Sequence, residues 1–247
     1  MENNELIRRA EDLSERCQRS GVLTHTGFLS PAEQYKIETW AGRSGARLLL
    51  HGGGEACERA AAFFLPDWME EDAFDPAEYL SALRLTAYYG EPGHRDYMGA
   101  ILGMGIGREW LGDIRVDGRQ ACVFCMPSVL RHLLGIEQVG RVSVKAEELP
   151  LAAVPAPRRE VKELSFSVMS MRLDAVAAGL FHLSRTEAAR LIEAGFLQLN
   201  YEECLKTDKP VREGDILSLR GAGKGKITGT GGTSRKGRLF VYAELYQ

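Results

Sequence analysis

The chain contains no uninterrupted apolar run of the roughly 18 residues that a membrane-spanning helix needs. Its start, Met1-Glu2-Asn3-Asn4-Glu5, is acidic and lacks the basic flank and apolar core of a secretory leader. The five cysteines are odd in number and scattered, so they do not make a disulfide framework and read as reduced thiols of a cytoplasmic protein. A lone C-x-x-C, Cys122 and Cys125, has no second Cys/His pair at zinc spacing, and on a strand its two thiols would face opposite sides. Gly52-Gly53-Gly54 lacks the G-K-S/T ending of a phosphate loop and reads as a turn. Gly103-Met104-Gly105-Ile106-Gly107 follows a helical pattern and not a strand, so the dinucleotide-binding context fails. No Ser/His/Asp set and no carboxylate pair declares itself. The sequence therefore predicts no cofactor, no metal and no membrane segment.

At 247 residues the chain has room for two or three domains. Its formal net charge of -3 argues against a uniformly basic polyanion binder, yet it hides an asymmetry. From Ser165 onward 12 Lys/Arg stand against 9 Asp/Glu, whereas residues 1–164 carry 19 against 25.

The expected fold class is α+β. An N-terminal α+β domain spans 1–79. Leu6, Ala10, Leu13 and Cys17 recur at helical spacing, and Ser30-Pro31-Ala32-Glu33 is a capping box whose helix should end at Gly42. Arg47–His51 reads as a strand, and Arg59–Leu65 as a return strand or a short helix. Over 80–149 the order is strand, helix, strand, strand, helix, strand. It comprises Leu83–Tyr89, His94–Leu102, Ile114–Val116, Ala121–Cys125, Pro127–Leu134 and Arg141–Lys145, the split β-α-β of ferredoxin-like and RRM-like folds. Apart from Phe124 this domain lacks the aromatic cluster by which an RRM stacks RNA. A proline-rich linker occupies 150–164, and the last domain spans 165–247.

That last domain starts with two short helices. The first runs from Met171 to Ala178, with Gly179 placed to stop it; the second is capped by Ser184 with Glu187 three residues on, and closed by Gly195. Short strands follow at Phe196–Asn200 and Val211–Leu219, the latter holding a Glu213-Gly214-Asp215 turn. The start of the second helix offers backbone N–H groups and a positive dipole end, which suit a phosphate, and Arg172 and Arg185 stand at the two helix starts. Arg220–Arg238 carries six Lys/Arg, seven glycines and no Asp or Glu, and reads as a flexible basic tail able to approach phosphates.

Arg172-Leu173-Asp174, Ser184-Arg185-x-Glu187-Ala188-x-x-Leu191-Ile192-x-x-Gly195, Leu199-Asn200 and Val211-x-x-Gly214-Asp215-x-Leu217 together resemble the S-four domain, the RNA-binding module named after the fourth protein of the small ribosomal subunit. One departure is Tyr201, where the wider family commonly has Gly. Upstream, Phe28-Leu29-Ser30-Pro31, Gly52-Gly53-x-x-Ala56-x-Glu58-Arg59 and the run Asp96–Ile114 extend the resemblance to the YlmH family of bacterial RNA-binding proteins.

The resemblance implies a non-enzymatic factor, and the chain is expected to be cytoplasmic and monomeric. Its partners would be RNA (ribosomal RNA and/or tRNA) and the large ribosomal subunit, in ribosome-associated quality control on subunits that still hold peptidyl-tRNA. The competing class is an RNA-modifying enzyme with an appended S-four domain. The RNA-binding residues expected are Arg172, Ser184, Arg185, Thr186, Arg190, Lys206, Arg220, Lys224, Lys226, Ser234, Arg235, Lys236 and Arg238.

Overall fold

The structure, a computed structural model, describes residues 2–157, 161–233 and 237–246. It divides into two compact units, Met1–Pro157 and Arg158–Gln247. No helix among the described residues is long and apolar enough to cross a membrane.

The first unit begins with α1 (Glu2–Ser20), β1 (Thr24–Leu29), α2 (Pro31–Ser44), β2 (Leu48–His51) and β3 (Ala60–Phe64). Ala10 and Cys17 of α1 and Ile37 of α2 bury against Ala62 and Phe64 of β3, as their helical spacing predicts. The Ser30–Glu33 capping box forms, but α2 runs through Gly42 and closes at Gly45, whose φ of 75° supplies the left-handed cap. The strands pair antiparallel in the order β1-β3-β2, so Arg59–Leu65 resolves as a strand. β1 is unexpected because its Thr24-His25-Thr26-Gly27 run does not alternate. Thr26 is nonetheless buried, its hydroxyl accepting from Ala62 N at 3.0 Å and donating to Gly27 O at 2.7 Å.

Next come β4 (Ser81–Ala87), α3 (His94–Gly103), β5 (Leu111–Asp117), β6 (Gln120–Cys125), α4 (Pro127–Leu133), β7 (Gln138–Val139) and β8 (Val142–Leu149). The sheet order β5-β6-β4-β8-β7 with antiparallel pairing is the ferredoxin-like arrangement. Leu83, Leu85, Val123 and Cys125 pack under Tyr97, Ile101 and Leu133 of the helices. The opposite side of the sheet sends Ala82 and Phe124 into a cluster with Phe28, Ala61 and Phe63. Apolar contact thus continues across the expected border at 79/80. Leu151 and Val154, from the segment read as linker, pack against the same cluster.

The second unit holds β9 (Val161–Val168), α5 (Leu173–Leu180), α6 (Arg185–Glu193), β10 (Leu197–Leu199), β11 (Glu202–Glu203), β12 (Ile216–Leu219), β13 (Gly223–Thr233) and β14 (Leu239–Tyr246). Its six-stranded sheet has the order β11-β10-β12-β13-β14-β9, and both helices pack on one face through Leu173, Val176, Leu180, Ala188 and Ile192. β9 therefore starts inside the span read as linker, and Gly223–Thr233, read as flexible tail, is a paired inner strand. Its glycines serve close packing: a Cβ on Gly225 would lie 2.9 Å from the Leu180 side chain. Gly179 does not stop α5 but lies within it, where a Cβ would fall 2.2 Å from the Phe166 ring of β9. Asn200 and Tyr201 both take positive φ, 52° and 66°, in the two-residue turn joining β10 to β11, as a type I′ turn demands. Asn200 also accepts from Ile216 N at 2.9 Å and donates to Asp215 at 2.8 Å, which ties that turn to β12.

Gly179→Ala separates propensity from packing. In an open helix the change would stabilise by about 1 kcal/mol. Against Phe166 it should destabilise the second unit by about 1–3 kcal/mol, measured by hydrogen exchange of α5 and β9 across a urea series.

Candidate nucleic-acid interface

The site is built from the starts of α5 and α6. Asp174, in the first turn of α5, is buried, and its carboxylate organises the surroundings. Oδ2 accepts from both Arg185 Nε at 3.0 Å and Arg185 Nη2 at 2.9 Å, two charge-assisted bonds that converge on one oxygen. Arg172 donates from Nε to Oδ1 at 3.2 Å and from Nη2 to Oδ2 at 3.3 Å. Oδ1 also accepts from Ala175 N at 2.9 Å. Burial alone pushes the Asp174 carboxyl up; the hydrogen bonds from Arg172 and Arg185 outweigh it and hold the group below the ordinary aspartate range. The bond to Asp174 likewise holds Arg172 more firmly protonated. The arginine side chains remain 41% and 57% exposed, so two positive forks face solvent from one buried negative pivot.

The two helix starts differ. At α5 the backbone donors are consumed: Leu173 N bonds Lys209 O and Asp174 N bonds Thr207 O, both at 2.9 Å. At α6 Ser184 Oγ accepts from Glu187 N at 3.1 Å and Ser184 O accepts from Ala188 N at 2.9 Å. The reciprocal bond that Glu187 would add in a full capping box is not made. The N–H groups of Arg185 and Thr186, on exposed residues, remain for an anion. Of the two helix starts, the one with backbone N–H groups left for an anion is that of α6.

The other expected residues do not form one surface. Ser184, Arg185 and Thr186 share the α6 start. Lys206 lies on the loop whose backbone closes the α5 start near Arg172; Lys209, which the sequence reading did not single out, is exposed on the same loop. Its proximity arises from the Arg172–Pro210 bridge, a long-range contact that no local pattern announces. Arg190 is exposed farther along α6, and Arg220 sits past the opposite end of that helix, its N–H on Phe196 O. Lys224 and Lys226 alternate with buried Gly225 and Ile227 on β13, so they point from the sheet face opposite the helices. Arg238 precedes β14 and donates to Ser167 O at 2.7 Å. Ser234, Arg235 and Lys236 lie outside the described residues.

In the first unit Gly53 and Gly112 serve packing, whereas Gly103 and Gly105 have open space where a Cβ would lie. A Cβ on Gly53 would lie 2.6 Å from the Phe124 ring, and one on Gly112 2.7 Å from Phe28. Asp113 accepts from the backbone N–H groups of Glu58 and Arg59 at 2.7 and 2.9 Å, and Arg59 donates to the carbonyls of Leu111, Phe28 and Arg108. Phe124 is fully buried under Arg115, whose guanidinium lies 4.9 Å from the ring centroid, so it is not open for base stacking. Cys122 and Cys125 are buried, and desolvation pushes the Cys125 thiol up to about 12. Among the described residues no group of three His, Cys, Asp or Glu side chains is placed to hold a metal ion.

Residues 79–153 match the family model for the proposed RNA-binding domain in YlmH, and residues 171–217 match the S4 domain. The ribosome-associated protein quality control protein P2 of Bacillus subtilis (strain 168) is 28% identical over 221 residues, which span 89% of this chain and 86% of that protein. Among solved structures, the cell division protein ylmH from Streptococcus pneumoniae shares the fold. Its TM-score is 0.52 at 22% identity, over 62% of this chain and 93% of that one.

The carboxylate pivot sets a pH dependence. A group whose pKa is lower folded than unfolded stabilises above its unfolded pKa, and that contribution fades as pH falls through the folded value. The second unit should therefore lose stability below about pH 4. Asp174→Asn should flatten that acid limb and destabilise the unit at neutral pH by about 2 kcal/mol, the scale of lost hydrogen bonds to charged groups. Urea titrations at several pH values test both.

Proposed function

We propose that this chain, with its matches to the RNA-binding domain in YlmH and to the S4 domain, is a YlmH-like monomeric cytoplasmic factor that binds the large ribosomal subunit. It would act by holding ribosomal RNA or peptidyl-tRNA, in ribosome-associated quality control. The observation that carries this reading is the pair of exposed arginines fixed on buried Asp174 beside the open N-terminus of α6. The relative from Bacillus subtilis, named for ribosome-associated quality control and matching over most of both chains, supplies the ribosomal context. The R-L-D tripeptide of an RNA-modifying enzyme finds no support as a catalytic element. Asp174 is committed to two guanidinium groups and a backbone N–H, which leaves its carboxylate no route to a substrate. A binding factor is therefore favoured over an enzyme.

The protein should co-sediment with large subunits in sucrose gradients, and binding should fall steeply with salt, at about 0.9 decades per decade of salt for each phosphate neutralised. Arg172→Gln combined with Arg185→Gln, whose amides can still donate to Asp174, should weaken co-sedimentation at least tenfold under conditions where circular dichroism shows the chain folded. Wild-type-like binding by the folded double variant would place the RNA elsewhere.

A further inference from the structure

Opposite the face on which α5 and α6 pack, the sheet of the second unit has an outer face. On β14, Val241, Ala243 and Leu245 turn inward beneath α5 and α6, so Phe240, Tyr242, Glu244 and Tyr246 turn outward. Phe240 and Tyr242, two residues apart on one side of a strand, are 38% and 46% exposed. Beside them stand small polar residues, Ser167 opposite Phe240 and Ser165 opposite Tyr242 on β9. On β13, Gly229 pairs with Tyr242, and a Cβ on Gly231 would come within 2.9 Å of the Tyr242 ring. Two glycines thus let this ring lean over the neighbouring strand, with its other side toward solvent. The same face carries Lys226 and Lys224, the latter 5.7 Å from the Tyr201 ring centroid and 5.8 Å from that of Tyr246. Arg238 stands at one end. Of the acidic groups, Glu244 faces Lys226 across the strands and accepts from the Tyr246 hydroxyl at 3.1 Å, while Glu163 lies opposite it on β9.

We infer that this outer face is a second RNA surface, which takes an unpaired segment by stacking nucleobases on Phe240 and Tyr242 and running its phosphates past Lys224, Lys226 and Arg238. Exposed aromatics at alternate positions on an open sheet, flanked by cations, are the physical requirement for reading single-stranded RNA. The middle domain cannot supply this mode through Phe124, which is buried. The inference rests on the RNA-binding reading above but uses the opposite side of the sheet from the arginine pair. One chain could therefore hold a helical RNA on one side and an unpaired strand on the other, gaining affinity from both.

The test uses the full-length chain and two fluorescent probes: a 12-nucleotide single-stranded oligouridylate and a fully paired RNA hairpin. Phe240→Leu and Tyr242→Leu keep apolar bulk but remove the stacking surface. Each should weaken oligouridylate binding roughly tenfold, leaving its salt slope and hairpin affinity unchanged. Tyr242→Trp should retain or strengthen oligouridylate binding, as no purely structural role for the tyrosine would require. Lys224→Ala with Lys226→Ala should reduce the oligouridylate salt slope by about 1.4, roughly 0.7 for each phosphate contact on a single strand. Arg172→Gln with Arg185→Gln should weaken the hairpin selectively. Oligouridylate affinity unchanged in both leucine variants would overturn the inference, and the arginine site would stand if hairpin binding persisted. Wild-type protein binding neither probe would overturn both.

Discussion

The second unit turns on one carboxylate. Asp174 is buried with two guanidinium groups and a backbone N–H on its oxygens, and removing any of these partners would leave charge without compensation. Because Arg172 precedes α5 and Arg185 begins α6, that carboxylate also fixes the two helix starts relative to each other. The loop carrying Thr207 and Lys209 then closes the donors of α5, so of the two helix starts the one with open N–H groups is that of α6. Stability and the proposed phosphate site therefore depend on the same group. An arginine held in place by a buried acceptor presents its remaining donors with less loss of rotamer freedom than a solvated one.

A second constraint recurs in both units, close approach through glycine. Gly53 and Gly112 admit Phe124 and Phe28 in the first unit, and Gly179 and Gly225 admit Phe166 and Leu180 in the second. In sequence such glycines mimic phosphate loops, helix stops and flexible tails. In the fold they are places where an aromatic or leucine side chain occupies the volume of a missing Cβ. This accounts for family-like motifs in the first unit whose residues, such as Arg59 and Asp113, spend their hydrogen bonds on backbone groups.

Local signals in the sequence were legible where physics is local. Ser30 and Ser184 as helix caps, the Asp117-Gly118 hairpin and the split β-α-β order all rest on neighbours within a few residues, and all appear in the fold. What the sequence concealed depends on partners far along the chain. β1 hides behind polar residues because its pairing with β3 and the buried Thr26 hydroxyl stabilise it. The glycine-rich stretch after Arg220 reads as mobile until β12 and β14 are seen to flank it. For the same reason Lys224 and Lys226, close in sequence to the arginine module, lie on the other face of its sheet. Lys209 escaped notice although a loop brings it beside Arg172.

The affinity of Asp174→Asn for a paired RNA, at neutral pH and under conditions where the second unit is folded, tests the central claim most directly. The substitution removes a negative charge beside the proposed phosphate site, so bulk electrostatic attraction alone would tighten binding. If the carboxylate's role is to hold Arg172 and Arg185 in register with the α6 start, binding should weaken by about tenfold, the cost of one well-placed charged hydrogen bond. Equal or tighter binding by the folded variant would contradict the account.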